Sequence, residues 1–588
     1  MTRLAWALAA ILLAGSLVAA AMPWRVPRAA VAEALQAGLA RDLGLRAVLA
    51  GPATIKLLPR PRVQATQITV AADDGSVMLD VPLLKADLDI PGLLAGVWRL
   101  SSATLVEPTA TVDLDVVSGR VPRGGGDGPP LQLKMRSGVL RLLSSTSVGD
   151  LLATGIDASV TWPGNGDALV ISGAATARGT VARFTANVLH PWLGLSPEGS
   201  SATLQVESPL FSFGADGVVS GGTQEQFAGR ASLTTASLPR LLRTLDGIPL
   251  AVGARRAQIS GDVVAKPHDV SLSNAQVKLD HARFEGTLAW RRDAGRSLVA
   301  GTLATDLLDI DALFGDGIDR KAFDALYREP LQASPFGTDI DVRVSATAAR
   351  VDRVTVADAA AAVLVRGNRL ELTLDEAQAY GGLIKARAIA TFGPEGVEAH
   401  ADLSAKRLDL GDLSEGLSGR ERVGGALSGR TELDGRGASL REVVARLGGS
   451  GQVEIDGGRL SGLSLAQALH RLGRRLPLEA DRRGTPTTFD KALWDVTVKD
   501  GVVRIPDGRL TAPGVAMSFG AETDLPDGRI DVHAVAAQTD GSGAPLRDGQ
   551  SMPFDMRGSW AGPLVLVGRA QGLPAMALPL FDGLSVAR

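Results

Sequence analysis

The stretch RLELTLDEAQAYGGLIKARAIATF, residues 369–392, alternates between apolar and polar side chains. Leu370, Leu372 and Leu374 fall on one side and Glu371, Thr373 and Asp375 on the other. Beyond Tyr380-Gly381-Gly382, which reads as a bulge where strands pack closely, the alternation resumes, with Ala386, Ala388 and Ala390 set against Lys385, Arg387 and Thr391. A period of two is the signature of a strand with one apolar and one wet face. QITVA, VMLDVPLLKADLDI, LQLKMRSGVLRLL, DIDVRVSATAA and GRIDVHAVAA read the same way. Asp-Gly pairs at 74, 216, 456, 500, 507 and 527 punctuate the strands, and such pairs favour tight antiparallel hairpins. Long crossovers are scarce, so the chain should be mainly β, one long and mostly antiparallel sheet with a few short helices. The strands outnumber what one sandwich needs, which leaves open whether the apolar face is a sealed core or meets something other than protein.

Helix signals are few. Val31, Leu35, Leu39 and Leu43 recur at helical spacing and stop at Gly44. Ser439 and Glu442 form a capping box ahead of a helix ended by Gly448 and Gly449, Ser464 and Gln467 repeat the form, and Ser237 with Pro239 opens PRLLRTL. These helices read as caps or connectors on the sheet. SGRVPRGGGDGPP, residues 118–130, reads as a flexible loop.

Leu4 to Met22 is an uncharged apolar run, LAWALAAILLAGSLVAAAM, with Trp6, Leu8, Ile11, Leu12, Leu13, Leu17 and Val18 along it. As a helix it would span roughly 28 Å, close to the thickness of a bilayer's hydrocarbon core. Trp24 follows like an interfacial anchor. Small residues at 19–21 would suit a cleaved signal peptide, but the run is long for one and Pro23 sits close behind, which favours an uncleaved transmembrane helix. Either way the remainder is exported.

No catalytic pattern emerges. Cysteine is absent, which removes disulfides, thiolate metal sites and cysteine nucleophiles. The six histidines stand far apart with no metal-binding spacing and read as surface or strand residues. Nucleotide-binding, nucleophile-elbow and calcium-loop motifs are missing. A net charge of −3 and 4% aromatics give no basis for nucleic-acid binding. The chain is therefore expected to be neither an enzyme nor a cofactor or metal protein. Arg471, Arg474 and Arg475 lie in the densest basic stretch, HRLGRRLPLEADRRG. They could contact lipid phosphates, although Glu479 and Asp481 between the charges suit a solvated helix end better.

Several segments resemble the AsmA family of envelope proteins. They are the opening LGLRAVLAGPATIKLLPRPRVQATQITVA with its Leu58 to Pro61 turn, the strand pair around LLAG, and Tyr380-Gly381-Gly382. Leu427 to Leu465 and the closing PFDMRGSWAGPLVLVGRA complete the set. The resemblance implies a sheet curled into a trough-like groove, kinship with bridge-like lipid-transfer proteins, and a role in outer-membrane biogenesis. It implies an inner-membrane anchor over 1–22, an N-terminal AsmA-like β region over 23–235, a middle β region over 236–420 and a C-terminal AsmA-like domain over 421–588. The expected location is the inner membrane, single-pass, with the bulk of the chain in the periplasm. The expected partners are phospholipid, the inner membrane and other envelope proteins, with no nucleic acid. Leu370, Leu372 and Leu374 are the candidate groove-lining residues. The alternative is a scaffold or chaperone for outer-membrane protein assembly, its β core closed on itself; a closed β-helix adhesin is a more distant one.

Overall fold

The structure is a computed structural model. It describes residues 22, 24–25, 45–559, 562–567 and 576–579, apart from 59, 73, 91, 93–99, 114–130, 144–150, 163–167, 195, 222–225, 247–254, 294–295, 315–337, 352–353, 419–422, 462–464, 466–468, 470–485, 541–543, 545 and 547–550. The strands described are assigned to one mainly antiparallel sheet of 32, and helices are few and short. The chain divides into two compact units, Met1–Asp280 with Glu285–Ser297, and His281–Phe284 with Leu298–Arg588.

In the first unit sequence neighbours pair antiparallel from Leu131–Leu143 through Asp269–Leu279. Before that the order is less plain: Trp24–Arg25 pairs with Ala53–Lys56, Leu45–Leu49 with Arg62–Ala72, and Val77–Leu88 with both Leu100–Val106 and Thr109–Asp113, while Leu131–Leu143 lies parallel to those last two. In the second unit the antiparallel order holds from Thr338–Val351 to Met576–Pro579. Period-two sequence with short turns leaves each strand no nearer partner than the next one along, which is why the order is so simple.

The capping box at Ser439 forms. Ser439 Oγ accepts from the Glu442 N–H at 3.3 Å, and the Glu442 carboxylate accepts from the Ala438 N–H at 3.2 Å, opening the helix Leu440–Ala445. PRLLRTL falls in the helix Leu238–Asp246, whose Leu241 is buried. The helices expected over 28–43 and from Ser464 lie almost wholly outside the described residues; of the latter only Leu465 and Leu469 are described, as helical and fully buried.

The six Asp-Gly pairs named above divide. Asp74-Gly75, Asp500-Gly501 and Asp527-Gly528 are turns, whereas those at 216, 456 and 507 lie inside strands. At Asp456-Gly457 the glycine has φ +57°, and at Asp507-Gly508 the ladder shifts register, so these two bend strands rather than reverse them. Tyr380-Gly381-Gly382, expected as a bulge, is instead a hairpin turn. Ala379 faces Gly382 across the ladder, and the two residues between them have φ +47° and +70°, the twist that a two-residue hairpin requires. The close packing expected of this motif is found at Gly382, where a Cβ would lie 2.4 Å from the Lys406 carbonyl oxygen.

The two glycines should therefore respond differently. Gly382→Ala should lower stability by about 1–3 kcal/mol through overpacking against backbone. Gly381→Asn should be close to neutral, because asparagine tolerates positive φ and nothing lies within 4 Å of a Cβ there. Thermal unfolding of the two variants tests this, and equal effects would contradict the geometry.

A candidate apolar binding face

Residues directly opposite one another in a ladder put their side chains on the same face. Following those partners in the first unit gives one unbroken row: Ala53, Ala65, Leu84, Leu105, Met135, Ala158, Gly173, Phe184, Val206, Phe213, Leu233, Ile259, Val277. No polar side chain interrupts it. One residue along each strand, on the other face, runs Thr54, Gln64, Lys85, Thr104, Lys134, Ser159, Ser172, Thr185, Gln205, Gly214, Ser232, Ser260, Gln276.

The second unit repeats the design. Val342, Val363, Leu372, Ala388, Ala401, Leu433, Gly449, Val498, Val503, Thr523, Ile530 and Gly558 form a row with one hydroxyl in it. Its neighbour on the opposite face is Arg343, Ala362, Thr373, Arg387, Asp402, Glu432, Ser450, Thr497, Arg504, Glu522, Asp531 and Arg557. Ion pairs tie this polar side together, among them Arg387–Glu371 at 2.7 Å and Arg504–Glu522 at 3.1 Å. The hydrogen bond from Arg387 holds the Glu371 carboxyl below the usual carboxylate range, against the opposing effect of partial burial.

The apolar faces are not sealed throughout. In the first unit the rows begin in a closed cluster, with Ala65, Leu84 and Ala86 buried among Val63, Ile68 and Val81. Further along, Met135, Phe184, Phe213 and Leu233 are only half-buried. In the second unit Leu465 and Leu469 cover part of the face, over Val515, Ala534, Ala536 and Met552. The helix Leu440–Ala445 covers another margin, its Val443 so close that a Cβ on Gly435 would lie 2.8 Å from Val443 Cγ1. Between these covers the face is open: Leu372 is 44% exposed and Leu403 45%.

Leu370, Leu372 and Leu374 thus share one face, with Leu370 and Leu374 half-buried and Leu372 the most open. Arg471, Arg474 and Arg475 lie outside the described residues, as do the anchor residues Leu4, Trp6, Leu8, Ile11, Leu12, Leu13, Leu17 and Val18; Met22 is described and exposed. Among the described residues no helix is long and apolar enough to cross a membrane. Two hollows, of about 550 and 930 Å³, open on the polar side, around His400 and around His533. The sequence did not bring out His400, because its partners Asp434 and Glu432 come from the next strand and only the register supplies them.

Residues 260–508 match the model of the AsmA family. That stretch is similar to the AsmA family. The match takes in Leu372, Tyr380-Gly381-Gly382 and most of the open face of the second unit, while the opening and closing segments likened to the family lie outside it. A search of curated proteins gives no match.

Within the matched stretch, one strand offers a test of where the face is open. Leu372 and Ala377 share Arg369–Ala379 and the apolar face, but Ala377 is fully buried. Leu372→Glu should fold with a loss of about 1–2 kcal/mol. Ala377→Glu should cost several kcal/mol, a large part of a total stability of about 5–15 kcal/mol. Thr373→Glu, on the polar side, should change little. Denaturant melts of the three variants decide; equal losses at 372 and 377 would mean a closed core throughout.

Proposed function

We propose that this AsmA-like protein is a non-catalytic component of the cell envelope that binds phospholipid acyl chains on its apolar sheet face, as a groove along which they are held or conducted. The observation that carries the reading is the open middle of the face in the second unit, where Leu372 and Leu403 stand exposed in a field of aliphatic neighbours. Covering apolar surface is worth about 25 cal/mol per Å², so acyl chains would gain substantially there, and water gains nothing. The ladder order, with ranks of apolar residues running across many strands, suits a long flexible hydrocarbon better than a compact ligand.

In this reading the apolar run Leu4 to Met22 anchors the chain in the inner membrane, the body stands in the periplasm, and the role is in outer-membrane biogenesis alongside other envelope proteins. A second reading, a scaffold or chaperone with a closed β core, draws support from the sealed cluster around Ala65 and Leu84. It leaves the exposed leucines without a purpose.

Gentle purification followed by lipid extraction and mass spectrometry distinguishes the two. Phospholipid should accompany the wild-type chain in at least equimolar amount, and Leu372→Glu should remain folded and carry less. A lipid-free wild-type protein, or undiminished lipid in a folded Leu372→Glu variant, would overturn the groove reading at this position.

A further inference from the structure

We propose that His400, Glu432 and Asp434, with Asp402 behind the imidazole, bind a divalent transition-metal ion of the zinc type on the polar side of the second unit. The register makes the array. His400 faces Asp434 and Asp402 faces Glu432, two residues along the same pair of strands, so four ligand-type side chains form a two-by-two block on one face. His400, Glu432 and Asp434 each present a ligand atom, and these atoms lie within 4.8 Å of one another. Side-chain rotation is enough to bring such groups to zinc–nitrogen and zinc–oxygen distances of about 2.0–2.2 Å.

The imidazole is already oriented for the task. His400 Nε2 lies 3.2 Å from Asp402 Oδ2, while Nδ1 points to Asp434 Oδ1 at 2.8 Å. A carboxylate behind one ring nitrogen and open ligands before the other is the arrangement that fixes the tautomer of metal-binding histidines. In the metal-bound state the ion takes the place of the contact between Nδ1 and Asp434.

An independent observation points to a cation. Like charges directly opposite in a ladder destabilise it, and this polar row contains two such pairs, Asp402 with Glu432 and Glu522 with Asp531. The second is compensated on both sides, by Arg504 on Glu522 and Arg557 on Asp531. The first is not. Arg387, which faces Asp402, is engaged by Glu371, and Ser450 faces Glu432. The Glu432 carboxylate has no hydrogen-bond or ion-pair partner among the described residues. A dication seated between His400 and the carboxylates supplies the missing charge, and imidazole with carboxylates suits zinc or its neighbours better than magnesium.

The test is calorimetric titration of zinc chloride into the purified, chelator-treated full-length chain. One equivalent should bind, with at least a tenfold loss of affinity in His400→Ala and in Glu432→Gln, and a smaller loss in Asp402→Asn. His533→Ala is the control, since His533 also lies between two aspartates but without a third ligand in reach among the described residues, and it should bind zinc as the wild type does. Circular dichroism establishes that each variant is folded. Absence of stoichiometric zinc binding, or wild-type affinity in folded His400→Ala and Glu432→Gln, would overturn the proposal.

Discussion

Everything distinctive about this protein depends on the backbone ladder staying in register. Side chains of a strand alternate between faces, so a slip of one residue between neighbours would carry every leucine of that strand to the polar side. Each unit keeps the phase over a dozen strands or so, and the result is two chemically opposite surfaces separated by a single layer of backbone. No individual contact produces this. It is the sum of many short hairpins, each with its turn fixed by residues such as Tyr380 and Gly381 or Asp500 and Gly501 that accept positive φ.

The alternation does slip along single strands, and the fold corrects it. In Val354–Arg366 the apolar positions run Val354 and Val356, then Ala359, Ala361, Val363 and Val365. Asp358, at φ +50°, takes up the odd residue. Arg407 does the same between Ala405 and Leu408, Asn274 between Leu272 and Ala275, and Ser137 between Met135 and Gly138. Each is a bulge that returns the following side chains to the correct face. This marks the limit of what the alternation alone could reveal. Strand character, antiparallel order, the scarcity of helices and the capping box at Ser439 are local properties and could be read directly. Bulges could not, because a broken alternation looks like the end of a strand. The Asp-Gly pairs misled for the same reason: positive φ serves a turn at Asp500-Gly501 and a bend within a strand at Asp456-Gly457.

The candidate sites divide along the same line. That Leu370, Leu372 and Leu374 share an apolar face follows from their spacing. That Leu372 stands open while Ala377, five residues on, is sealed does not, because cover comes from residues distant in the chain. The block around His400 is invisible in sequence altogether: His400 and Asp434 are 34 residues apart, and only the pairing of Gly396–Asp409 with Val423–Gly437 brings them together.

The uneven cover of the apolar face bears on how such a surface can exist in water at all. A fully open aliphatic sheet face would favour aggregation, and a fully closed one would admit nothing. Here burial is concentrated where small residues pack tightly, around Ala65 and Ala86 in one unit and Ala346, Ala359 and Ala377 in the other, and where Leu465 and Leu469 close over Met552. Those clusters and the ladder supply stability that does not require the middle of the face to be filled. The exposed leucines between them can then be covered or uncovered without unfolding the strands beneath. A fold whose stability lies in its backbone hydrogen bonds and its closed clusters leaves the apolar surface between them free to act as a binding surface.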